Sequence, residues 1–195
     1  MDWDEAVRTL GGTPAPTGLA ERYAEPHRKY HDRTHAGQVV RDAVALTEGR
    51  DRALVALAAW AHDVVYEGRP GDDERASAAW ARTHLTAAGL AEADVARVEG
   101  LVLATLDHTA PPGDRVAQAL LDADLAVLAA TQADYERYRQ AVRAEYAHVT
   151  DDQWRTGRAA VLRSLLAKDP LYLLATDWEP AARRNLAAEL ASLEA

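Results

Sequence analysis

The chain has 195 residues, enough for one domain with a sizeable core. Apolar residues make up 48% of it and charged residues 27%, which excludes disordered, collagen-like and coiled-coil classes. A net charge of −9 argues against a nucleic-acid polymer as partner, and the absence of cysteine excludes disulfides, thiolate metal sites and cysteine nucleophiles.

Apolar residues recur at spacings of three and four almost throughout, and no segment alternates over strand length. Alanine makes up about a fifth of the sequence, which favours helix. The expected elements run in order. Asp2 to Leu10 reads as a short helix stopped by Gly11 and Gly12, and a second runs from Thr17 to Ala24 before Pro26. A polar segment, His27 to His35, leads into a helix ending near Gly49. Asp51 suits the N-cap of an apolar helix from Arg52 to Val65. Gly68, Pro70 and Gly71 mark a loop, and Asp72 opens a helix to Ala88. Ala91 to Asp107 is helical, with Gly100 in its middle. Pro111, Pro112 and Gly113 break the chain. Two short helices, Arg115 to Leu121 and Leu125 to Ala130, flank Asp122 to Asp124. Long helices follow from Gln132 to Ala147, from Asp152 to Ala167, and from Pro180 onward.

The expected fold is therefore all-α, a single multi-helix domain of nine to eleven helices over 1–195, with 1–25 as an N-terminal helical extension. The longest apolar run, Ala53 to Ala61, is about half of what a membrane span needs. Met1 to Leu10 has no apolar signal region. The expected setting is the cytoplasm, without membrane contact.

The most informative dipeptide is His62-Asp63, at the end of a helix that is apolar on all sides and so expected to be buried. Unpaired buried polar groups cost several kcal/mol, so these two need partners. For an isolated pair, a mutual hydrogen bond in the core is the simplest arrangement. His31 and His35 stand upstream, one helical turn apart, and Asp124 stands downstream between two apolar segments. Imidazoles and carboxylates drawn from separate helices suit one divalent ion, and manganese, iron, cobalt, nickel or zinc better than magnesium.

In order and spacing, His35, His62-Asp63 and Asp124 resemble the signature of the HD-domain metal-dependent phosphohydrolases. Further stretches resemble a small group of short HD-superfamily hydrolases: 26–35, 58–66, 73–78, 105–108, 121–125, 135–138, 143–146 and 182–186. The resemblance extends from Pro26 to the C-terminus. It implies an HD-domain-like helical fold, His35, His62, Asp63 and Asp124 as metal ligands, and hydrolysis of a phosphate ester. Some of these enzymes carry a catalytic acid three or four residues after the His-Asp pair. Here Val65 and Tyr66 follow, and the first acid is Glu67.

The acid–base role therefore passes to Asp63, which would orient a metal-bound water, and to Asp73, Glu74 or Glu67 at the leaving oxygen. Asp73 and Glu74 would equally complement the helix dipole. Arg28, Lys29, His31, His108 and Arg143 are the candidates for binding phosphate. A solvated turn is the alternative for Arg28 and Lys29, a surface position for His31, and helix packing for Arg143. His84 reads as a surface residue, so one ion is expected rather than two. The expected activity is metal-dependent hydrolysis of a small phosphate ester, a nucleotide among the candidates. The alternative is a non-catalytic metal- and nucleotide-binding regulatory module. A homodimer is left open.

Overall fold

A computed structural model describes residues 1–194 of the chain. Its α-helices are α1 (Trp3–Thr9), α2 (Leu19–Tyr23), α3 (Arg33–Ala45), α4 (Asp51–Ala61), α5 (Asp72–Ala87), α6 (Glu92–Leu103), α7 (Arg115–Asp124), α8 (Gln132–Glu145), α9 (Asp151–Leu166) and α10 (Glu179–Glu194). Short 3₁₀ turns lie at Ala104–Leu106, Leu125–Ala129 and Thr176–Trp178. Helix accounts for 68%, and no strand occurs among the described residues. The expected all-α class and helix number are both observed. No helix among the described residues is long and apolar enough to cross a membrane. The chain forms two compact units, Met1–Asp124 and Leu125–Ala195.

In the first unit α4 is the central element. It packs against α1, α3, α5, α6 and α7. A helix with neighbours on every side must be apolar on every side, and eight of its residues, from Ala53 to Ala61, are buried. Its many alanines let the surrounding helices approach closely. Val39 and Val40 of α3, Leu101 and Val102 of α6 and Leu120 of α7 complete this core.

α4 ends at Ala61, four residues before the expected Val65. The next carbonyls go to side chains instead of to a further helical turn. Arg28 donates from Nη1 to the Asp63 carbonyl at 2.7 Å and from Nη2 to the Val64 carbonyl at 3.0 Å. The Ser77 hydroxyl of α5 accepts from the Val65 amide at 3.1 Å. His62 and Asp63 are thus displayed on a pinned, non-helical turn. Asp51 lies one residue inside the helix, where its charge meets the N-terminal amides.

In the second unit the expected helix Leu125 to Ala130 is a 3₁₀ turn. Its carbonyls are again satisfied from outside. The Tyr172 hydroxyl donates to Leu125 at 2.8 Å, and Asn185 Nδ2 donates to Leu128 and Ala130 at 2.8 and 3.0 Å. α9 starts on a reciprocal cap in which Thr150 Oγ1 accepts from the Gln153 amide at 3.3 Å and the Gln153 side chain accepts from the Thr150 amide at 2.9 Å.

The core of this unit encloses a charged group. Glu189 of α10 is only 2% exposed. Arg158 of α9 donates to it from Nε at 2.8 Å and from Nη2 at 3.1 Å, and the Tyr135 hydroxyl of α8 donates at 2.5 Å. Burial pushes the Glu189 carboxyl up, but Arg158 and Tyr135 outweigh it and hold the carboxyl below the usual range. Glu189→Gln leaves a buried guanidinium without its counter-charge and is expected to cost about 3 kcal/mol at neutral pH. A depressed carboxyl stabilises the fold above its unfolded value, near pH 4.3, and that contribution disappears as pH falls through the folded value. Urea unfolding, followed by tryptophan fluorescence, is therefore expected to show a large difference from Glu189→Gln at pH 7 that shrinks below about pH 4.

Candidate metal centre

Each member of the candidate site is placed by a local feature of the first unit. Asp32 caps α3 by accepting the Thr34 and His35 amides at 2.7 and 3.1 Å, which puts His35 in the first turn. The Tyr30 ring lies against the His35 ring, with centroids 4.6 Å apart. His62 follows the last residue of α4, and its Nδ1 lies 2.7 Å from the Ala59 carbonyl. Donation of Nδ1–H there turns the Nε2 lone pair toward the cluster. Asp124 is the last residue of α7.

His35 Nε2, His62 Nε2 and Asp124 Oδ1 form a triangle with edges of 3.3, 3.3 and 3.4 Å. Asp63 Oδ2 adjoins it, 3.0 Å from His62 Nε2 and 3.5 Å from His35 Nε2. Around an ion with bonds of about 2.1 Å, ligand atoms at about 90 to 109° stand about 3.0 to 3.4 Å apart. The three edges of the triangle and the Asp63–His62 separation fall within that range, and the Asp63–His35 separation is slightly longer. His35, His62 and Asp124 form a group that could hold a metal ion.

The electrostatics point the same way. His35 and His62 are buried, and Asp63 and Asp124 are mostly buried. The partners of both carboxylates are histidines. Burial pushes the His62 pKa down, but the charges of Asp63 and Asp124 and hydrogen bonds to them outweigh it and hold it well above its ordinary value. Burial pushes both carboxyls up, and the His62 charge, with histidine hydrogen bonds, holds each well below the usual range. Two mostly buried carboxylates side by side require positive charge near them. A divalent cation held by His35, His62 and Asp124, beside Asp63, would supply it without protons. The donor set fits such an ion.

The other expected site residues divide clearly. His108 Nε2 lies 3.0 Å from Asp124 Oδ2, and His31 stands beside His35 with ring centroids 5.5 Å apart. Those two belong to the cluster's surroundings. Arg28 does not face a ligand, because its side chain is fully buried. Besides Asp63 and Val64, it donates to the His31 carbonyl at 2.8 Å and to Glu25 at 3.1 Å, so every guanidinium nitrogen is engaged inside the fold. Lys29 is exposed and donates to the Pro26 carbonyl at 2.8 Å. Arg143 belongs to the second unit, where it donates to the Tyr146 carbonyl at 2.8 Å and to Asp151 at 2.7 Å and lies over Trp154.

Asp73 and Glu74 serve the backbone. Asp73 is buried and accepts the Glu67 and Arg69 amides at 2.9 and 2.8 Å, closing the loop after Tyr66. Glu74 accepts the Gly71 amide at 2.6 Å and caps α5. Glu67 is exposed. The dipole-and-cap role, not proton transfer, is what these contacts support. Glu74→Gln is accordingly expected to cost about 1 kcal/mol of stability through the weakened cap and to leave Co²⁺ affinity within about twofold, as titration of the metal-free protein will show.

Tyr66 was not singled out by sequence. Its ring stacks on His31 at 4.2 Å and carries the Arg28 guanidinium 5.7 Å from its centroid. The available signal was its place three residues after Asp63, where an acid was sought and an aromatic ring stands instead. No family model, curated protein or solved structure matches the chain.

Proposed function

We propose that the chain is a metal-dependent phosphohydrolase acting on a small phosphate ester, with one transition-metal ion held by His35, His62, Asp63 and Asp124. The observation that carries this reading is the convergence of the His35, His62 and Asp124 ligand atoms from three different elements, with Asp63 beside both histidines. The ordered resemblance of the same residues to the HD-domain signature supports it.

Such an ion, when bound, supplies a hydroxide from water near neutral pH and polarises a phosphoryl oxygen. The chain's own residues prepare that chemistry. The Ala59 carbonyl orients His62 for ligation, and Asp32 does the same for His35 by fixing the first turn of α3. Asp63 combines a ligand role with the orientation of water. In an acidic protein the phosphate needs local positive charge, and His31 beside the cluster is the nearest imidazole not among the four ligands or on Asp124.

The engagement of Asp73 and Glu74 with backbone amides favours one other reading, a module that binds metal and nucleotide without turnover. One assay separates the two. The protein is stripped with EDTA and supplied in turn with Mn²⁺, Co²⁺, Ni²⁺, Zn²⁺ and Mg²⁺, then offered a panel of nucleotides and simple phosphate esters. The proposal expects release of inorganic phosphate with at least one transition metal and none in EDTA. Nucleotide binding without phosphate release under every metal would establish the regulatory reading.

A further inference from the structure

We propose that His108 is a positioning residue that holds one oxygen of Asp124 so that the other is presented to the metal. The inference rests on the metal-centre reading above.

The Asp124 carboxylate is divided between two sets of partners. Its Oδ1 faces His35 and His62 at 3.3 and 3.4 Å, while its Oδ2 meets His108 Nε2 at 3.0 Å. A free carboxylate end rotates easily about its last bond, and a hydrogen bond to Oδ2 removes that freedom. With Oδ2 engaged, Asp124 offers an ion one oxygen rather than two. A position is then left for water or a substrate oxygen, as a catalytic site requires.

The backbone supports the assignment independently. His108 has φ of 51°, the only positive value at a non-glycine residue among those described. That conformation costs about 1 kcal/mol for an L-residue and persists only where the surroundings enforce it. Asp107 Oδ1 accepts the Thr109 amide at 3.0 Å across the same turn.

The course of the chain also needs a reason. His108 precedes α7 and Asp124 ends it, so the two belong to opposite ends of a ten-residue helix. Nine helical steps span about 14 Å. The chain therefore turns at His108 beside the C-terminal end of α7 and travels back along it to reach Arg115. Asp114 anchors the far end of that return, paired with Arg97 and accepting the Ala117 amide at 3.0 Å. A loop serving only to join α6 to α7 has no need to deliver an imidazole to Asp124.

The test uses the full chain, stripped of metal and titrated with Co²⁺. His108→Ala and His108→Gln meet a similar backbone demand, but only glutamine keeps an N–H donor at comparable reach. The proposal expects His108→Ala to weaken Co²⁺ binding by about 10- to 100-fold and to alter the visible spectrum of bound Co²⁺. The stoichiometry should stay at one, and His108→Gln should recover most of the affinity. Both variants should melt together in the metal-free state. Unchanged Co²⁺ affinity in His108→Ala would overturn the proposal while leaving the metal centre intact. A fall from two ions to one would also overturn it, by making His108 a ligand. Failure of the unmodified chain to bind Co²⁺ would overturn the metal reading and this one with it.

Discussion

Arg28→Met is expected to lower the unfolding free energy by about 3 to 5 kcal/mol, although the residue stands in a polar stretch of the sequence. The guanidinium is fully buried and bridges the turn before α3 to the turn after α4, through the carbonyls of His31, Asp63 and Val64. Methionine fills similar space but donates nothing. Carbonyls left unpaired in the interior cost about 1 to 3 kcal/mol each. For a chain of this size the loss corresponds to a fall in melting temperature of about 6 to 20 °C. Arg28→Lys should recover only part of it, because one ammonium group cannot reproduce a planar fork of donors. Scanning calorimetry on the metal-free chain checks this. A shift under 2 °C would mean that these contacts contribute nothing net.

Asp63→Ala is expected to reduce phosphate release by at least about a thousandfold. The contribution of a metal to a phosphoryl-transfer transition state is several kcal/mol, and each 1.36 kcal/mol is a factor of ten. Asp63 adjoins both histidines, so on the proposed assignment its loss removes a ligand oxygen and a negative charge together. Stability of the metal-free chain at neutral pH should fall as well, since the histidines beside Asp63 hold its carboxyl well below the usual range and that contribution is lost with it. Initial rates with the best metal of the panel give the measurement. A residual rate above about one tenth of the original would remove Asp63 from the centre.

The helical architecture was legible because the helices around α4 repeat apolar residues at helical spacing, and tertiary contacts override that signal only after Ala61 and after Asp124. The cluster of His35, His62 and Asp124, with Asp63 beside it, was legible because two histidines and two aspartates stood in or beside apolar segments, where unpaired polar groups are costly. Other features turned on long-range contacts. Arg28 sits among polar residues and reads as a surface turn, yet its partners Asp63 and Val64 lie on another element. Those same bonds end α4 early, and Asn185 and Tyr172 likewise turn an expected α-helix after Asp124 into a 3₁₀ turn. Asp73 and Glu74 occupy a helix start, where capping and catalysis use the same residue types. Only the amides in front of them decide between the two. The link between His108 and Asp124 depends on a loop returning along α7, and no local pattern announces it.

The central claim is that His35, His62, Asp63 and Asp124 hold one transition-metal ion. Elemental analysis of the purified chain, dialysed against a mixture of Mn²⁺, Co²⁺, Ni²⁺ and Zn²⁺ and then passed through a desalting column, tests it most directly. The predicted result is about one ion per chain. His62→Ala and Asp124→Ala should each retain less than about a tenth of that. Metal in the unmodified chain no higher than in His62→Ala would contradict the claim.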